Sequence, residues 1–256
     1  MKDFKQKKHC FSNFLMRLQS VKSFLELNKI MKTNQFFKLF FFFLWKKAIT
    51  LRLKYFMRIA IAGNIGAGKT SLTKLVSKSL GYTPYYEDVI SNPYLDDFYN
   101  HMERWSFNLQ IYFLNSRFKQ LLEMNNGKKN IIQDRTIYED AYIFAPNLNA
   151  MGLMPKRDYE NYLSLFETML HLVKAPDLLV YLESSIPNLV NKIHKRGREY
   201  EKTISIEYLS RLNERYEAWI TNYDSGKLLK INVDNLDFVE KISDYNKILD
   251  TIKKEI

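Results

Sequence analysis

Eight consecutive residues, Gly63-Asn64-Ile65-Gly66-Ala67-Gly68-Lys69-Thr70, place glycines, a lysine and a hydroxyl at the spacing G-x-x-x-x-G-K-[ST]. The chemistry of that spacing is phosphate binding. Glycines let the backbone close around an anion, so that amide N–H groups and the N-terminus of a helix opening near Ser71 point at it. Lys69 is set to reach the β- and γ-phosphates of a nucleoside triphosphate, and the Thr70 hydroxyl to ligate Mg²⁺. Two more groups could act on such a phosphate. Glu87 and the pair Asp134-Arg135 each close an expected strand. A carboxylate there can accept a hydroxyl proton, and an arginine can offset charge developing during transfer. The run Lys192-Ile193-His194-Lys195-Arg196-Gly197-Arg198-Glu199-Tyr200-Glu201 gathers cations around a glycine, the composition of a lid over phosphates or, read alone, of a solvated face.

These residues need a scaffold that brings them to one edge. Residues 55–62 form a short apolar, β-prone run before the glycine loop. After it, Leu72, Leu75, Val76 and Leu80 recur at helical spacing and Gly81 is a stop. Further strands are expected at 82–89, 130–134, 177–183 and 228–233. Helices are expected at 96–124, 137–145, 156–174, after Pro187 and at 236–254, with a loop at 146–155. Five strands alternating with helices predict an α/β fold, a parallel sheet covered on both faces.

Within the expected helix 96–124, Tyr99, Glu103, Ser106, Gln110 and Arg117 fall on one line, inside roughly 40° of Gln110 at 100° per residue. Apolar residues surround that line, so the helix is expected to be buried. A polar stripe in such a place needs partners, either a protein surface or a polar ligand, because each unpaired group costs about 1–3 kcal/mol.

Charge divides the chain at Met57. Residues 1–56 hold 13 of the 39 lysines and arginines but only two acids, Asp3 and Glu26, so the remaining 200 residues are neutral. A neutral domain of that size has a substantial core and no expected nucleic-acid partner. The only cysteine, Cys10, is in the basic arm, which leaves the domain without disulfide or thiol chemistry and fits a cytoplasmic location. The arm also carries Phe36-Phe37-Lys38-Leu39-Phe40-Phe41-Phe42-Phe43-Leu44-Trp45, too short to span a bilayer. It reads as sequence upstream of a functional start at Met57, with contact to an anionic membrane surface as the alternative.

In this order, GNIGAGKT, Arg104-Trp105-Ser106-Phe107, Asp134-Arg135-Thr136, Tyr142-Ile143-Phe144-Ala145 and Arg196-Gly197-Arg198 resemble the deoxyribonucleoside kinases of the deoxycytidine, deoxyguanosine and bacterial deoxyadenosine type. The resemblance runs from about Met57 to the C-terminus. It implies a P-loop kinase fold with a lid, usually dimeric, that moves the ATP γ-phosphate to a nucleoside 5′-hydroxyl. By the same resemblance Glu87 is the general base, Arg135 orients the hydroxyl and phosphate, and Asp134 joins Thr70 near Mg²⁺. Tyr99 and Glu201 match the pair on the sugar 3′-hydroxyl. Gln110, Arg117 and Asp140 match the group that reads the base, with Trp105, Leu109 and Phe144 as apolar walls. Lys192, Arg196 and Arg198 fall on lid cations, while Leu236, Asp237 and Phe238 resemble the loop beside the donor adenine. The wording of Glu87-Asp88-Val89 and Asp140-Ala141-Tyr142 is similar to bacterial purine-preferring members, which makes deoxyadenosine the expected acceptor.

Two rivals share the loop. A nucleoside monophosphate kinase needs a second cationic site for the acceptor's own phosphate, and the stripe offers only Arg117. A GTPase-type switch carries N-K-x-D, which is missing here, and ATPases usually follow the strand-end aspartate with glutamate, where this chain has Arg135.

Overall fold

The strand before the glycine loop, β1 (Arg58–Gly63), is buried along its whole length, and its side chains alternate in size. Ile59 and Ile61 point to one face of the sheet, Ala60 and Ala62 to the other. The computed structural model describes residues 56–89 and 91–256, so the basic arm expected at 1–56 lies, apart from Phe56, outside the described residues. Residues Phe56–Ile256 fold as one unit. Among the described residues, no helix is long and apolar enough to cross a membrane.

The sheet has five parallel strands in the order β2-β3-β1-β4-β5, where β2 is Thr83–Tyr85, β3 Ile131–Asp134, β4 Leu178–Glu183 and β5 Lys227–Asn232. Parallel strands covered on both faces read as continuous apolar runs, which β4 does over residues 178–182, β1 over residues 59–62 and β3 only over Ile131 and Ile132. On the face of Ile59 and Ile61, helix α1 (Lys69–Leu80) and the C-terminal helix α8 (Ile242–Glu255) bury Leu72, Val76, Ile248 and Ile252. On the opposite face lie α3 (Met102–Asn126) and α7 (Ile206–Thr221), together with a composite helix α4. Helix α4 covers residues 137–150: an α turn Ile137–Glu139, a π segment Asp140–Phe144 and an α run Ala145–Ala150. Helix α5 (Lys156–Leu170) packs Tyr162 and Phe166 against α3 and α4, and α6 (Ile186–Arg196) leads into the lid.

β1 sits between β3 and β4, so the chain order reverses beside it. In open α/β sheets ligands bind outside the carboxyl ends of the strands at this reversal. Those ends carry the glycine loop, Asp134-Arg135 and Glu183.

Several expected boundaries are corrected. The helix expected at 96–124 is two helices, α2 (Leu95–Asn100) and α3, broken at His101 (φ −142°, ψ 71°). The second strand stops at Tyr85, so Glu87 stands two residues beyond it on irregular chain. The loop expected from Pro146 is helical as far as Ala150; Pro146 comes just after the π segment, where the regular i→i−4 ladder is already interrupted. The helix expected to run to 174 ends at Leu170. The closing helix starts at Ile242 rather than 236, and the freed stretch folds over the glycine loop.

Candidate active site

The glycine loop wraps over the start of α1 with Gly66 at φ 87° and Gly68 at φ 98°, backbone that L side chains rarely adopt. A β-carbon on Gly66 would stand 2.8 Å from the Leu189 carbonyl oxygen, and one on Gly68 2.7 Å from Cζ of Phe238. Asn64 anchors the loop: its Nδ2 donates to Oδ1 of Asn213 (2.7 Å) and to the Leu209 carbonyl (3.0 Å). Ala67 is fully buried, and Ile65 and Ser71 border the cavity. Lys69 donates from Nζ to the Asn64 carbonyl at 2.9 Å. Burial, with Arg135 nearby, lowers its pKa from 10.5 to about 7, against the opposing pull of Asp134, Glu139 and Glu87.

Thr70 donates from Oγ1 to Oδ2 of Asp134 at 2.5 Å, while Oδ1 of Asp134 is buried with no hydrogen-bond partner among the described residues. Burial raises the Asp134 pKa, opposed by Lys69. A hydroxyl, an under-coordinated carboxylate oxygen and a phosphate loop suit a hard cation that keeps most of its ligands as water and phosphate.

Past Asp134 the chain turns sharply. Arg135 is the one non-glycine residue with positive φ (67°) among the described residues, and its N–H donates to the Ile61 carbonyl (2.9 Å). Such backbone costs about 1–3 kcal/mol and persists only where the surroundings enforce it. The Arg135 guanidinium lies 4.4 Å above the Phe144 ring, and Nε is 3.3 Å from Oε1 of Glu87. The same Glu87 oxygen accepts from Nη2 of Arg117 at 2.5 Å, and Nε of Arg117 donates to Oδ2 of Asp140. Arg117, 2% exposed, thus bridges two carboxylates and stands behind them rather than on the cavity wall. Burial acts to raise the Glu87 pKa, but Arg135, Arg117 and Lys69 outweigh it and hold the group at about 2. Asp140 is pushed up to about 6 by burial, with Arg117 opposing.

One cavity of about 1160 Å³ joins these groups. That exceeds the roughly 300–1,000 Å³ typical of a single small-molecule pocket, and its two ends differ. One end holds the glycine loop, α6 and residues 234–241; the other is walled by Glu87, Tyr99, Leu109, Gln110, Phe113, Asp140 and Phe144. Gln110 is 3% exposed and its Oε1 has no partner among the described residues. At the first end Leu236 and Asp237 flank Phe238, whose ring lies 5.8 Å from a buried, unpartnered Lys192 Nζ. Between the ends, Glu201 accepts from Nε (2.9 Å) and Nη2 (2.5 Å) of Arg196 and from Nη1 of Arg198 (3.4 Å). Tyr99 stacks on Tyr200, ring centres 5.6 Å apart.

The polar line drawn along one helix is not one surface. The break at His101 separates Tyr99 from the rest, Glu103 is exposed, and Ser106 satisfies itself on the Met102 carbonyl (2.6 Å). Trp105 lies off the cavity, 5.8 Å from the Tyr94 ring with the Arg104 guanidinium 4.4 Å above it. Conversely Phe113, Tyr200 and Tyr208 line the cavity without a signal in their spacing. Glu139, fully buried between Thr136, Gly63 and Tyr216, was legible only as the acid of a T-x-x-E capping box.

The deoxynucleoside kinase family model matches residues 59–256, the stretch that builds this cavity. The chain belongs to the deoxynucleoside kinase family. It is 42% identical over 200 residues to a deoxyadenosine/deoxycytidine kinase of Bacillus subtilis, covering 77% of this chain and 92% of that one. It is 43% identical over 162 residues to a deoxyadenosine kinase of Dictyostelium discoideum, covering 63% and 66%. A deoxyadenosine kinase from M. mycoides, solved with dATP bound, superposes with a TM-score of 0.68 at 33% identity over 77% of this chain and 99% of the other. The kinase therefore carries out ATP-dependent phosphorylation of a deoxynucleoside at its 5′-hydroxyl, and the α/β P-loop fold is that of its relatives.

Proposed function

We propose that the kinase accepts deoxyadenosine first and deoxycytidine second, with Glu87 as general base and Arg135 on the transferring phosphate. The observation that carries the acceptor reading is the pairing of Gln110, whose buried Oε1 has no partner, with Asp140 on the acceptor wall. A glutamine amide meets an amino group and a neighbouring ring nitrogen in bidentate fashion, the edge that adenine offers. Cytosine presents a similar amino group beside a ring nitrogen, whereas guanine and thymine set a carbonyl there. Asp140 adds an acceptor for the same amino group. Leu109, Phe113 and Phe144 supply apolar walls.

Glu87 lines the same cavity as the glycine loop, and in this reading its carboxylate stands where a 5′-hydroxyl meets the γ-phosphate. Lys69, the loop amides and the lid cations Lys192, Arg196 and Arg198 neutralise the phosphates, Arg135 offsets the charge gained in transfer, and residues 236–238 pack beside the donor base. Tyr99 and Glu201 hold the sugar once the lid arginines turn to phosphate. Thr70 and Asp134 would hold Mg²⁺, which would screen the phosphate charge. The acceptor wall presents no lysine, and Arg135 already faces Glu87, which disfavours an acceptor bearing its own phosphate. The relatives are kinases of soluble nucleosides, and a cytoplasmic homodimer is the assembly consistent with the family resemblance.

A competition assay with the four deoxynucleosides at equal concentration tests the acceptor reading. Deoxyadenosine monophosphate is expected as the main product, with deoxycytidine monophosphate next. A deoxyguanosine or thymidine product in excess would overturn the roles given to Gln110 and Asp140.

A further inference from the structure

Glu139 is a fully buried carboxylate that, among the described residues, accepts from four hydrogen-bond donors, none of them a cation. Its Oε2 accepts from the Thr136 N–H (2.6 Å) and Oγ1 (3.2 Å), the local bonds of a helix start. Its Oε1 is turned to distant parts of the chain. It accepts from the N–H of Gly63 (3.3 Å), the first residue of the phosphate loop, and from the Tyr216 hydroxyl (2.8 Å) on α7. Helix capping accounts for the first oxygen only.

Tyr216 carries the connection onward. It is fully buried, its ring stacks on Tyr181 of β4 with centres 5.8 Å apart, and its hydroxyl accepts from Nη1 of Arg135 at 3.4 Å. Burial, with Glu139 beside it, keeps the phenol protonated. One proton then fixes the direction of both bonds: the hydroxyl donates to Glu139 and presents its lone pair to Arg135. Arg135 needs such a hold because its backbone is left-handed and its other contacts, Glu87 and the Phe144 face, belong to the acceptor side of the cavity.

We propose that Glu139 and Tyr216 form a positioning pair for phosphoryl transfer, setting the guanidinium of Arg135 and the first amide of the phosphate loop in one mutual geometry. The proposal rests on the reading of Arg135 as the phosphate-facing arginine. The pair touches no substrate. It acts through Arg135 on one side and Gly63 on the other: the Tyr216 hydroxyl that holds Arg135 and the Gly63 amide both donate to Oε1 of Glu139.

Two substitutions separate the branches. Tyr216→Phe removes the acceptor for Arg135 and leaves the Glu139–Gly63 bond. Glu139→Gln keeps the shape, yet an amide offers one oxygen where two oxygens accept two donors each, so one branch loses its acceptor. A displacement of order 1 Å in a positioned group can cost about 10²-fold in rate. Tyr216→Phe is therefore expected to lower kcat about 10-fold or more with the KM for ATP changed less than about 2-fold. Glu139→Gln is expected to lower kcat and also to raise the KM for ATP.

The deciding measurement is a cycle with Arg135→Ala on the full-length kinase, at a temperature where melting curves show every variant folded. If Tyr216 acts through Arg135, Tyr216→Phe loses its effect in the Arg135→Ala background, to within about 2-fold. The same fold-loss in both backgrounds would reduce Tyr216 to a packing residue and overturn the proposal. Unchanged kcat in Tyr216→Phe would also overturn it, while Arg135→Ala remains impaired. An Arg135→Ala variant with full turnover would instead sink the role of Arg135 itself. Should Glu139→Gln fail to fold, the Tyr216 arm alone still decides.

Discussion

Replacing Glu87 by glutamine removes a charge on which both catalysis and stability depend. The carboxylate is 18% exposed, accepts from Arg117 at 2.5 Å and pairs with Arg135 at 3.3 Å. Those neighbours hold its pKa at about 2 against an ordinary 4.5. Taken as folding linkage, with each tenfold change in acidity worth about 1.4 kcal/mol, the charge contributes roughly 3 kcal/mol at neutral pH. Breaking a buried ion pair on one side costs about 3–5 kcal/mol, which agrees. The sign follows from a folded pKa that is depressed. The contribution is complete above pH 4.5 and is lost as the pH falls through about 2. Urea melts of parent and Glu87→Gln at pH 7 and at pH 3 should therefore show a gap of about 3 kcal/mol that narrows in acid. Kinetically, loss of a general base is worth about 10²–10⁴-fold. Turnover measured by deoxyadenosine monophosphate formation, below the variant's melting range, should fall by that factor while ATP still binds. A folded variant within tenfold of the parent would remove Glu87 from the chemistry. Equal stability at pH 7 would mean that the two arginines are not held by this carboxylate.

Three further outcomes are expected. Lys69 sits near pKa 7 without phosphates, which favour its charged form, so ATP binding at pH 8 should take up a proton. Calorimetry in buffers of different ionisation enthalpy reads that uptake, and no buffer dependence would count against it. Gly68→Ala forces a β-carbon toward Phe238 at a φ of 98°, and should raise the KM for ATP at least tenfold and destabilise by more than about 1 kcal/mol in a thermal melt. Asp140→Asn should weaken discrimination for amino-bearing bases by about 10–100-fold in kcat/KM. In the parent, that discrimination should fade as pH drops below about 6, where Asp140 takes up a proton and loses acceptor strength.

The glycine loop and the three inner strands were legible because buried parallel strands and phosphate loops both impose composition: continuous apolar runs, and glycine where backbone must meet an anion. The edges were not. β2 contacts one neighbour only and ends after three residues, which no propensity in Glu87-Asp88-Val89 announces. The break at His101 lies in a run without proline or glycine, and the contacts on its N-terminal side, Phe98 in the core and Tyr99 stacked on Tyr200, are long-range. The separation of Trp105 from the cavity follows from the aromatic contact with Tyr94, which spacing does not encode. Residues 140–144 read as ordinary helix, and the π turn that buries Asp140 and Phe144 is a feature of three dimensions. Tyr216 carried no signal in the sequence, since its partners Glu139 and Arg135 lie 77 and 81 residues away along the chain.

Arg117 answers to two carboxylates at once, Glu87 and Asp140, and this limits how the protein can change over generations. A substitution at 140 that alters which base is read also frees part of the guanidinium to tighten on Glu87. New preferences arising at this position should come with slow turnover, and recovery should appear as second changes at 117 or beside it. Libraries that randomise position 140 alone would then return selective but sluggish enzymes, whereas joint randomisation of 117 and 140 would recover both traits.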